Sequence, residues 1–537
     1  MTHAATRPVR FFFLILALML AGIAVVYKSC NSPAGSEFAA HSGISSGEGT
    51  YLGRTQCISC HAKEGQEWKK SHHDQAMAEA TTTTVLGDFD SVHFESRGIR
   101  SFFFRRGESF FVNTEGPDGQ YHDYEIEYTF GVQPLQQYLV AFPGGRYQAL
   151  RTAWDTEAKK WFDLYPDTDI SPGEWLHWSR GAMNWNSMCA GCHSTDLKKN
   201  LDPATGHYQT TWAEINVSCE ACHGPGKQHV DYVNSENYGK DDEPVPGHFL
   251  HLTKDLPSRQ QVDQCGRCHA RRTLIGGEEI PAGDFLDHYI PELLRDETYH
   301  SDGQIQDEVY VYGSFTQSKM YHNDVKCTDC HNPHSLQLKF EGNRLCGQCH
   351  EPATFDTQAH HFHPAESAAA QCINCHMTGK NYMVNDFRRD HSFRIPRPDQ
   401  SLLYGTPNAC NGCHTDRSTQ WAAQAVEKWY GKERKPHFSD ALTKGRQRTE
   451  AAVPDLIRLL RDTQQPAIAR ATALLYLSEI GTSEGYQAIA QALGDSASLL
   501  RYTATNALAD LQAQDQINLL PRLLRDSLLS ARDLVAT

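Results

Sequence analysis

The chain contains 537 residues, of which 39% are hydrophobic and 21% charged, and its formal net charge is −15 at pH 7. This composition is ordinary for a globular protein of three or four domains, and it excludes disordered, collagen-like and polytopic membrane proteins. The acidic balance argues against a nucleic-acid partner, because phosphate binding requires a basic surface. The unusual feature is the content of cysteine and histidine, 17 and 28 residues, which raises the question of a bound metal or cofactor.

The first 30 residues have the pattern of an export signal or a membrane anchor. Arg7 and Arg10 precede an apolar run at residues 11–27, and Lys28 follows it. The run is near the lower length limit for crossing a bilayer, and no clear small-residue cleavage site follows. A cleaved signal and an uncleaved anchor in the cytoplasmic membrane both remain open, and the missing cleavage site favours the anchor. Residues 31–50, rich in serine and glycine, are predicted to form a linker.

Sixteen of the cysteines form eight C-x-x-C pairs, and a histidine directly follows every second cysteine. In this pattern two thioether bonds tie a haem to the chain, and the next histidine becomes the proximal iron ligand. Zinc sites and disulfides also use paired cysteines, but neither requires a histidine at that position. The sequence therefore predicts eight covalently bound haem c groups. The attaching cysteines and proximal histidines are Cys57, Cys60, His61; Cys189, Cys192, His193; Cys219, Cys222, His223; Cys265, Cys268, His269; Cys327, Cys330, His331; Cys346, Cys349, His350; Cys372, Cys375, His376; and Cys410, Cys413, His414.

The spacing of the motifs outlines the domains. Between the first two motifs, aromatic and alternating runs are broken by glycine- and proline-containing turns, which predicts an inserted antiparallel β domain at about residues 90–170. From residue 185 to residue 414 the motifs are dense, and short helices with long loops are expected, so the apolar haems themselves are expected to supply the core. The predicted fold class is a mainly α and irregular multihaem cytochrome c fold over residues 51–415, with this β insertion.

After residue 415 the cysteines stop and the apolar periodicity becomes helical. Similar segments at residues 459–462, 492–495 and 523–526 recur at spacings of 33 and 31 residues, and an arginine follows each within eight residues. A C-terminal α-α helical repeat domain of the HEAT type is predicted over residues 416–537. Such repeats offer a surface for protein docking or oligomerisation.

Twenty histidines lie outside the motifs, and seventeen remain as second axial ligands once His3, His41 and His437 are set aside for their position in the sequence. The candidate histidines therefore outnumber the eight second axial positions, and about half of the best-placed histidines are expected to bind iron. The candidates lie beside motifs or in clusters: His72 or His73, His229, His322, His334, the cluster of His360, His361 and His363, and His391.

The chain resembles the bacterial multihaem c-type cytochromes related to the tetrahaem acceptor of hydroxylamine oxidoreductase and to the octahaem oxidoreductases. The resemblance covers about residues 51–415 and is carried by Cys57-x-x-Cys-His with Trp68-x-x-Ser-x-His, Cys219-Glu-Ala-Cys-His-Gly-Pro-Gly, Cys327-x-x-Cys-His-Asn-Pro-His, and Cys372-x-x-Cys-His-Met with Arg389-Asp-His-Ser-Phe. It implies largely bis-histidine haems in stacked pairs, with His73, His229, His334 and His391 as distal ligands. Within this group the chain is most similar to exported cytochromes that continue into helical repeats.

One departure from the resemblance bears on activity. The related ammonia-forming nitrite reductases carry lysine in place of histidine in the motif of the catalytic haem, whereas all eight motifs here end in histidine. This difference argues against that chemistry.

Two functions remain open. The first is electron transfer in an extracytoplasmic respiratory chain, with redox proteins as partners and a periplasmic location at the cytoplasmic membrane. The second is an oxidoreductase in which one haem keeps an open position for a small nitrogen or sulfur compound such as nitrite, hydroxylamine or tetrathionate. The excess of candidate ligands over irons favours the carrier, and no catalytic residue is identified.

Overall fold

The computed structural model describes residues 49–240, 246–275 and 284–508, together with Asp526 and Leu528. The predicted signal or anchor at residues 1–30, nearly all of the linker at residues 31–50, and most of the third predicted helical repeat lie outside the described residues. Within the described part, none of the helices has the length and apolar character needed to cross a membrane.

Nine strands that follow the first motif form one antiparallel sheet. The order is β2-β3-β4-β5-β6-β8-β9, with β1 paired to β5 and β7 paired to β6. The sheet begins before the predicted boundary near residue 90, because the short strand β1 pairs with β5 through Met77 and Phe130. The strands are β1 (Met77–Glu79), β2 (Val92–Ser96), β3 (Ile99–Arg106), β4 (Ser109–Glu115), β5 (Tyr121–Phe130), β6 (Leu135–Phe142), β7 (Arg146–Ala149), β8 (Thr152–Asp155) and β9 (Lys160–Asp163).

Alternation of side chains along the strands builds the core of this sheet. In β4, Phe110 and Val112 point into the core while the residues between them are partly exposed. Across the sheet, the ring of Phe103 stacks on Trp161 with 3.6 Å between ring centroids. The two-residue turn between β3 and β4 uses Gly107 at φ 65°, a left-handed conformation that glycine adopts without steric cost. The predicted alternation is therefore present in the folded sheet.

The region that carries the other seven motifs contains short helices and three small hairpins. Its helices are Trp185–Met188, Ala190–His193, Cys219–His223, Lys227–Val233, Ser258–Gly266, Phe285–His288, Tyr312–Phe315, Lys319–His322, Cys327–Cys330, Pro352–Phe355, Gln358–His361, Cys372–His376, Pro398–Tyr404 and Ala409–Cys413, and the helices Arg54–Ile58 and Ala62–Trp68 flank the first motif. Short 3-10 segments are Gly181–Met183, Pro246–Phe249, Thr253–Asp255, Gly342–Gln348 and Ala368–Ala370. The hairpins pair Leu201–Asp202 with His207–Tyr208, Arg272–Leu274 with Tyr289–Pro291, and Gly379–Tyr382 with Asp386–Arg389.

The C-terminal region is helical and shares a core with the region that carries the motifs. Its α-helices are Thr419–Tyr430, Ser439–Gly445, Val453–Arg461, Ala467–Ile480, Ser483–Ala492 and Ser498–Leu508, with a 3-10 turn at Glu450–Ala452. Buried Leu294 and Tyr299, which lie between the fourth and fifth motifs, belong to the same apolar cluster as these helices. Polar contacts cross at the same place, since Tyr476 Oη donates a hydrogen bond to Asp296 Oδ1 at 2.6 Å.

Two ion pairs explain the arginine and aspartate that recur in this part of the sequence. Arg470 pairs with Asp495, and Arg501 pairs with Asp526, and in both pairs the aspartate follows the arginine by 25 residues. All four side chains are largely buried, so removing one partner would leave an uncompensated charge in the interior. The first pair therefore joins the helix Ala467–Ile480 to the residues just after the helix Ser483–Ala492, and the second joins the helix Ser498–Leu508 to Asp526.

The helix Ala467–Ile480 should be essential for stability. Replacing the fully buried Leu474 with alanine is expected to lower the free energy of unfolding by about 2–5 kcal/mol, because it leaves a cavity among packed helices. Leu475→Ala, at a neighbouring position that is only partly buried, is the matched control and should cost less. Chemical denaturation followed by circular dichroism measures both, and a Leu474→Ala loss no larger than the control would contradict the assigned packing.

Candidate haem-binding sites

Each predicted motif forms a local turn that brings its cysteines and histidine together. In the first, fourth and fifth motifs, the backbone N–H of His61, His269 and His331 donates to the carbonyl of the first cysteine at 2.9, 3.0 and 3.0 Å. A single helical turn of this kind places residues four positions apart on the same side of the backbone. All sixteen described cysteines are free of disulfide bonds. The local geometry therefore suits attachment of one group per motif.

Five proximal histidines face a second histidine from elsewhere in the chain. Two imidazoles on opposite sides of one metal ion, each bonded through nitrogen at about 2.0–2.1 Å, have ring centres roughly 6 Å apart. The observed separations of ring centroids match this value, so these residues fit an iron between them. The pairs are His61 and His229 at 6.2 Å, His73 and His269 at 6.2 Å, His223 and His334 at 6.4 Å, His360 and His376 at 6.2 Å, and His363 and His414 at 6.1 Å.

Backbone carbonyls fix the orientation of several of these rings. The Nδ1–H of His223 donates to the carbonyl of His251 at 2.7 Å, and that of His376 donates to the carbonyl of Arg394 at 2.6 Å. His229 makes the same kind of contact, at 3.0 Å to the carbonyl of His248. A hydrogen bond from Nδ1 leaves Nε2 as the nitrogen that binds a metal and strengthens it as a donor. The rings are thus held in the tautomer that an iron requires.

Burial favours the neutral form of three of the facing histidines. It lowers the pKa of His73 to about 4, with a smaller contribution from the charge of His269, and it also lowers the pKa of His269 and His223. A histidine must be neutral to bind a metal, so these sites are ready for binding at physiological pH.

The structure distinguishes between adjacent histidines that the sequence leaves equivalent. His73 faces His269, whereas His72 is exposed and contacts no motif histidine among the described residues. On the helix Gln358–His361, His360 faces His376, while the Nδ1 of His361 accepts a hydrogen bond from the backbone N–H of His363 at 3.2 Å. Consecutive helical residues point about 100° apart, so on this helix only one of the two histidines can face a given site.

The remaining predicted candidates occupy different surroundings. The Nδ1–H of His391 donates to the carbonyl of Arg389 at 3.0 Å. The pKa of His391 is lowered, mainly by burial and in smaller part by the charge of His331, so the two histidines lie near each other. His322 has its aromatic neighbour in Tyr321, and in the described part of the chain it makes no ring contact with a motif histidine. Among the described residues, His391 therefore lies near a motif histidine, whereas His322 does not contact one.

Three proximal histidines lack a facing histidine ring within the described residues. They are His193, His331 and His350. His391 lies near His331. His350 is exposed and packs edge-on with Phe355 at 5.7 Å. His193 is partly buried, and its Nδ1 lies 3.4 Å from the carbonyl oxygen of Ala76.

The cysteines of different motifs also meet. The Cys57 thiol hydrogen-bonds with Cys219, which raises the pKa of Cys57 and lowers that of Cys219. The same contact joins Cys265 to Cys327 and Cys346 to Cys372. Six of the eight motifs are thus arranged in three pairs whose attachment points touch.

A buried carboxylate lies beside the fourth motif. Asp263 is on the helix Ser258–Gly266, which also carries Cys265, and its Oδ1 accepts a hydrogen bond from Tyr312 Oη at 2.9 Å. Burial raises the pKa of Asp263 to about 6, and the hydrogen bond from Tyr312 opposes the rise. This carboxylate is therefore protonated in the folded protein under mildly acidic conditions.

This carboxylate should make stability depend on pH. In the unfolded chain an aspartate titrates near pH 3.9, so between about pH 4 and 6 only the folded state holds this proton. The free energy of unfolding contributed by Asp263 is fully present below about pH 4 and falls by about 3 kcal/mol as the pH rises through 6. Asp263→Asn should remove this dependence, while Asp324→Asn, at an exposed position, should keep it. Melting temperatures measured from pH 4 to 7 test this expectation, which fails if the two variants behave alike.

Two family models match parts of the chain. The doubled CXXCH motif matches residues 321–355, and cytochrome c554 and c-prime matches residues 56–89 and 156–224. Among solved structures, the crystal structure of the outer cell wall cytochrome OcwA is similar, with a TM-score of 0.49 and 16% sequence identity over 86% of this chain and 100% of that chain. No curated protein matches the chain.

The family matches and the motifs agree on the chemistry. The chain carries multihaem c-type cytochrome motifs. The matched segments contain five of the eight motifs, those that begin at Cys57, Cys189, Cys219, Cys327 and Cys346. They support covalently bound haem c and electron transfer.

Proposed function

We propose that the chain transfers electrons through eight covalently bound c-type haems in an extracytoplasmic redox chain. The observation that carries the proposal is the set of five facing histidine pairs, because two imidazoles occupy both axial positions of an iron and leave no site for a substrate. Bound haem supplies a reversible one-electron change at iron, at a lower potential with two histidines than with histidine and methionine. The protein's part is to hold, orient and enclose each group.

The geometry supports a specific set of axial ligands. The proximal ligand of each haem is the histidine of its own motif, and His391 is assigned to the Cys327 haem because of its position beside His331 and its hydrogen bond from Nδ1. His72, His322 and His361 are left out of the set. The second ligands are His229 for the Cys57 haem, His334 for the Cys219 haem, His73 for the Cys265 haem, His360 for the Cys372 haem and His363 for the Cys410 haem.

Second ligands also join neighbouring motifs. His229 follows His223 by six residues and serves the first motif, while His334 follows His331 by three residues and serves the third. Together with the contact between Cys57 and Cys219, this arrangement holds successive sites close together. Close spacing is what single-electron exchange between fixed groups requires, so the connectivity supports a carrier.

A haem assay combined with electron paramagnetic resonance tests this function. We expect eight covalent haems per chain, with at least six of them low-spin in the oxidised protein, and reversible reduction without substrate. Fewer covalent haems than motifs with intact cysteines would contradict the proposed count. High-spin signals from the haems with facing histidines would contradict the assigned ligands.

A second candidate function is conversion of a small nitrogen or sulfur compound at the Cys189 haem. It is favoured because His193 is partly buried and has no facing histidine among the described residues. Glu308 and Arg388 form an ion pair near this motif. Burial raises the pKa of Tyr310, and the charges of Glu308 and Cys192 raise it further, so Tyr310 also lies close to the motif. An arginine side chain can bind an oxyanion, and a tyrosine hydroxyl can donate a proton to it.

Carbon monoxide separates the two candidates. A carbon monoxide difference spectrum from one high-spin haem, lost in the double variant Cys189→Ala and Cys192→Ala, would support the second candidate. The absence of any response in the wild-type protein would exclude the second candidate and favour the carrier. A response that survives the double variant would assign the open position to another motif.

The proposed location and partners follow from the sequence. Attachment of c-type haem takes place outside the cytoplasm, and residues 1–30 carry an export or anchor pattern. We propose a periplasmic protein held at the cytoplasmic membrane, with redox proteins as partners and the C-terminal helices as a docking surface. Fractionation of cells into membrane and periplasm, before and after truncation of residues 1–30, tests the tether.

A further inference from the structure

One short turn contacts ligands of two different haem sites. Residues 247–251 follow the helix Lys227–Val233, and they approach both the first and the third motif. The carbonyl of His248 accepts the Nδ1–H of His229 at 3.0 Å, and the carbonyl of His251 accepts the Nδ1–H of His223 at 2.7 Å. His229 faces the iron site of the Cys57 motif, and His223 belongs to the Cys219 motif.

The two sites that share this turn are themselves in contact. The Cys57 and Cys219 thiols hydrogen-bond, and the charges of His61 and His229 are near enough to contribute to the lowered pKa of His223, which is caused mainly by burial. The backbone N–H of His251 also donates to the carbonyl of His223 at 3.0 Å. His223 and His251 are thus joined by two hydrogen bonds, which fixes the proximal ring of the third motif firmly to the turn.

The backbone of the turn is unusual. Gly247, His248 and Phe249 lie consecutively in the left-handed region, with φ values of 60°, 48° and 71°. Non-glycine residues rarely adopt this conformation, and two in succession persist only where the surroundings enforce them. The ring of Tyr232 packs against both His248 and Phe249, with centroids 5.6 and 5.5 Å away. The strained turn is therefore held in place from the helix that carries His229.

We propose that residues 247–251 are a shared positioning element that sets the reduction potentials of the Cys57 and Cys219 haems together. This inference rests on the proposed function. A hydrogen bond from Nδ1 increases electron donation from Nε2, which favours the oxidised iron and lowers its potential. Because both carbonyls belong to one turn, a change in its backbone alters the ligands of both haems at once.

Phe249→Pro is the variant that breaks the turn. Proline fixes φ near −65°, so it cannot adopt the φ of 71° found at this position, and both carbonyls must move. Phe249→Gly is the matched control, because it loses the same side chain while glycine accepts a positive φ freely. Spectroelectrochemical titration and electron paramagnetic resonance of the full chain compare the two variants with the wild type.

In Phe249→Pro we expect the reduction potentials of two haems to rise and those of the other six to stay unchanged. In Phe249→Gly we expect all eight potentials to equal those of the wild type. A tenfold change in the reduction equilibrium of each haem corresponds to a shift of about 59 mV. A shift in one haem alone, in none, or equally in both variants would overturn the shared role.

A second variant keeps the test decisive if Phe249→Pro does not mature. Gly224 has φ 77°, and a Cβ there would approach His251 Cδ2 to 3.2 Å, so Gly224→Ala disturbs the His251 side of the turn and the backbone next to His223. We expect the Cys219 haem to move most in this variant. If all eight haems are attached but no potential changes in either variant, the positioning role fails and the electron-transfer function stands. If the wild-type protein binds no covalent haem, the proposed function itself fails.

Discussion

Replacing His73 with alanine is expected to add one high-spin, carbon-monoxide-binding haem per chain, while replacing its neighbour His72 leaves the spectrum unchanged. The ring of His73 lies 6.2 Å from that of His269, the separation expected of two ligands on one iron, and burial lowers its pKa to about 4. Removing it opens one axial position of the Cys265 haem, whose remaining single imidazole cannot keep the iron low-spin. Low-temperature paramagnetic resonance and a carbon monoxide difference spectrum measure the change.

The pair of adjacent histidines makes this test stringent. His72 and His73 are identical in chemistry and consecutive in sequence, but His72 is exposed. A general effect of losing a histidine from this loop would therefore appear in both variants. If His72→Ala opened a haem and His73→Ala did not, the assigned ligand set would be wrong at this site.

The double variant Cys219→Ala and Cys222→Ala is expected to lose one haem and much of the protein's stability. Its haem would lie where the ligands His223 and His334 face each other and where Cys219 contacts Cys57. Removing it leaves two imidazoles without a metal and an apolar cavity larger than one aromatic side chain, so we expect a loss of at least about 3–5 kcal/mol. Mass spectrometry and a haem assay should find seven haems instead of eight.

Cys30→Ser provides the control for this second variant. Cys30 is the one cysteine outside the eight motifs, so its replacement should preserve the haem count. A double variant that bound as many haems as the wild-type protein would show that the Cys219 motif attaches none. If the double variant keeps its other seven haems but exchanges electrons among them more slowly than the wild type, the result would agree with the proposed position of this haem beside the Cys57 haem.

Local and distant features differ in how far the sequence predicts them. The haem-attaching residues follow from a five-residue pattern, because one helical turn fixes their relation, and the alternating runs of the β domain likewise depend on near neighbours. The second ligands cannot be predicted from near neighbours in the sequence. His73 faces a motif histidine almost 200 residues away, and only the folded chain distinguishes His73 from His72. Likewise, helical phase selects His360 over His361, and a cluster of histidines does not by itself reveal that phase.

Two packing features also lie beyond what the sequence pattern predicts. The strand β1 is only three residues long, too short for a periodicity, so the sequence predicts the start of the sheet too late. The participation of Leu294 and Tyr299 in the C-terminal core has no local signature, because their surroundings carry neither helical nor alternating periodicity. Both arise from pairing between distant segments.

The contact of residues 293–309 with the C-terminal helices has a consequence for how the protein unfolds. Tyr476, Asp296 and Arg448 tie a segment that lies between two haem motifs to helices that follow the last motif, so neither part can lose its structure without exposing the other's core. Thermal melting should therefore show loss of axial haem ligation, followed by haem absorption, and loss of helical signal in one transition. A chain truncated at residue 415 would likewise expose the apolar surface around Leu294 and Tyr299 to water.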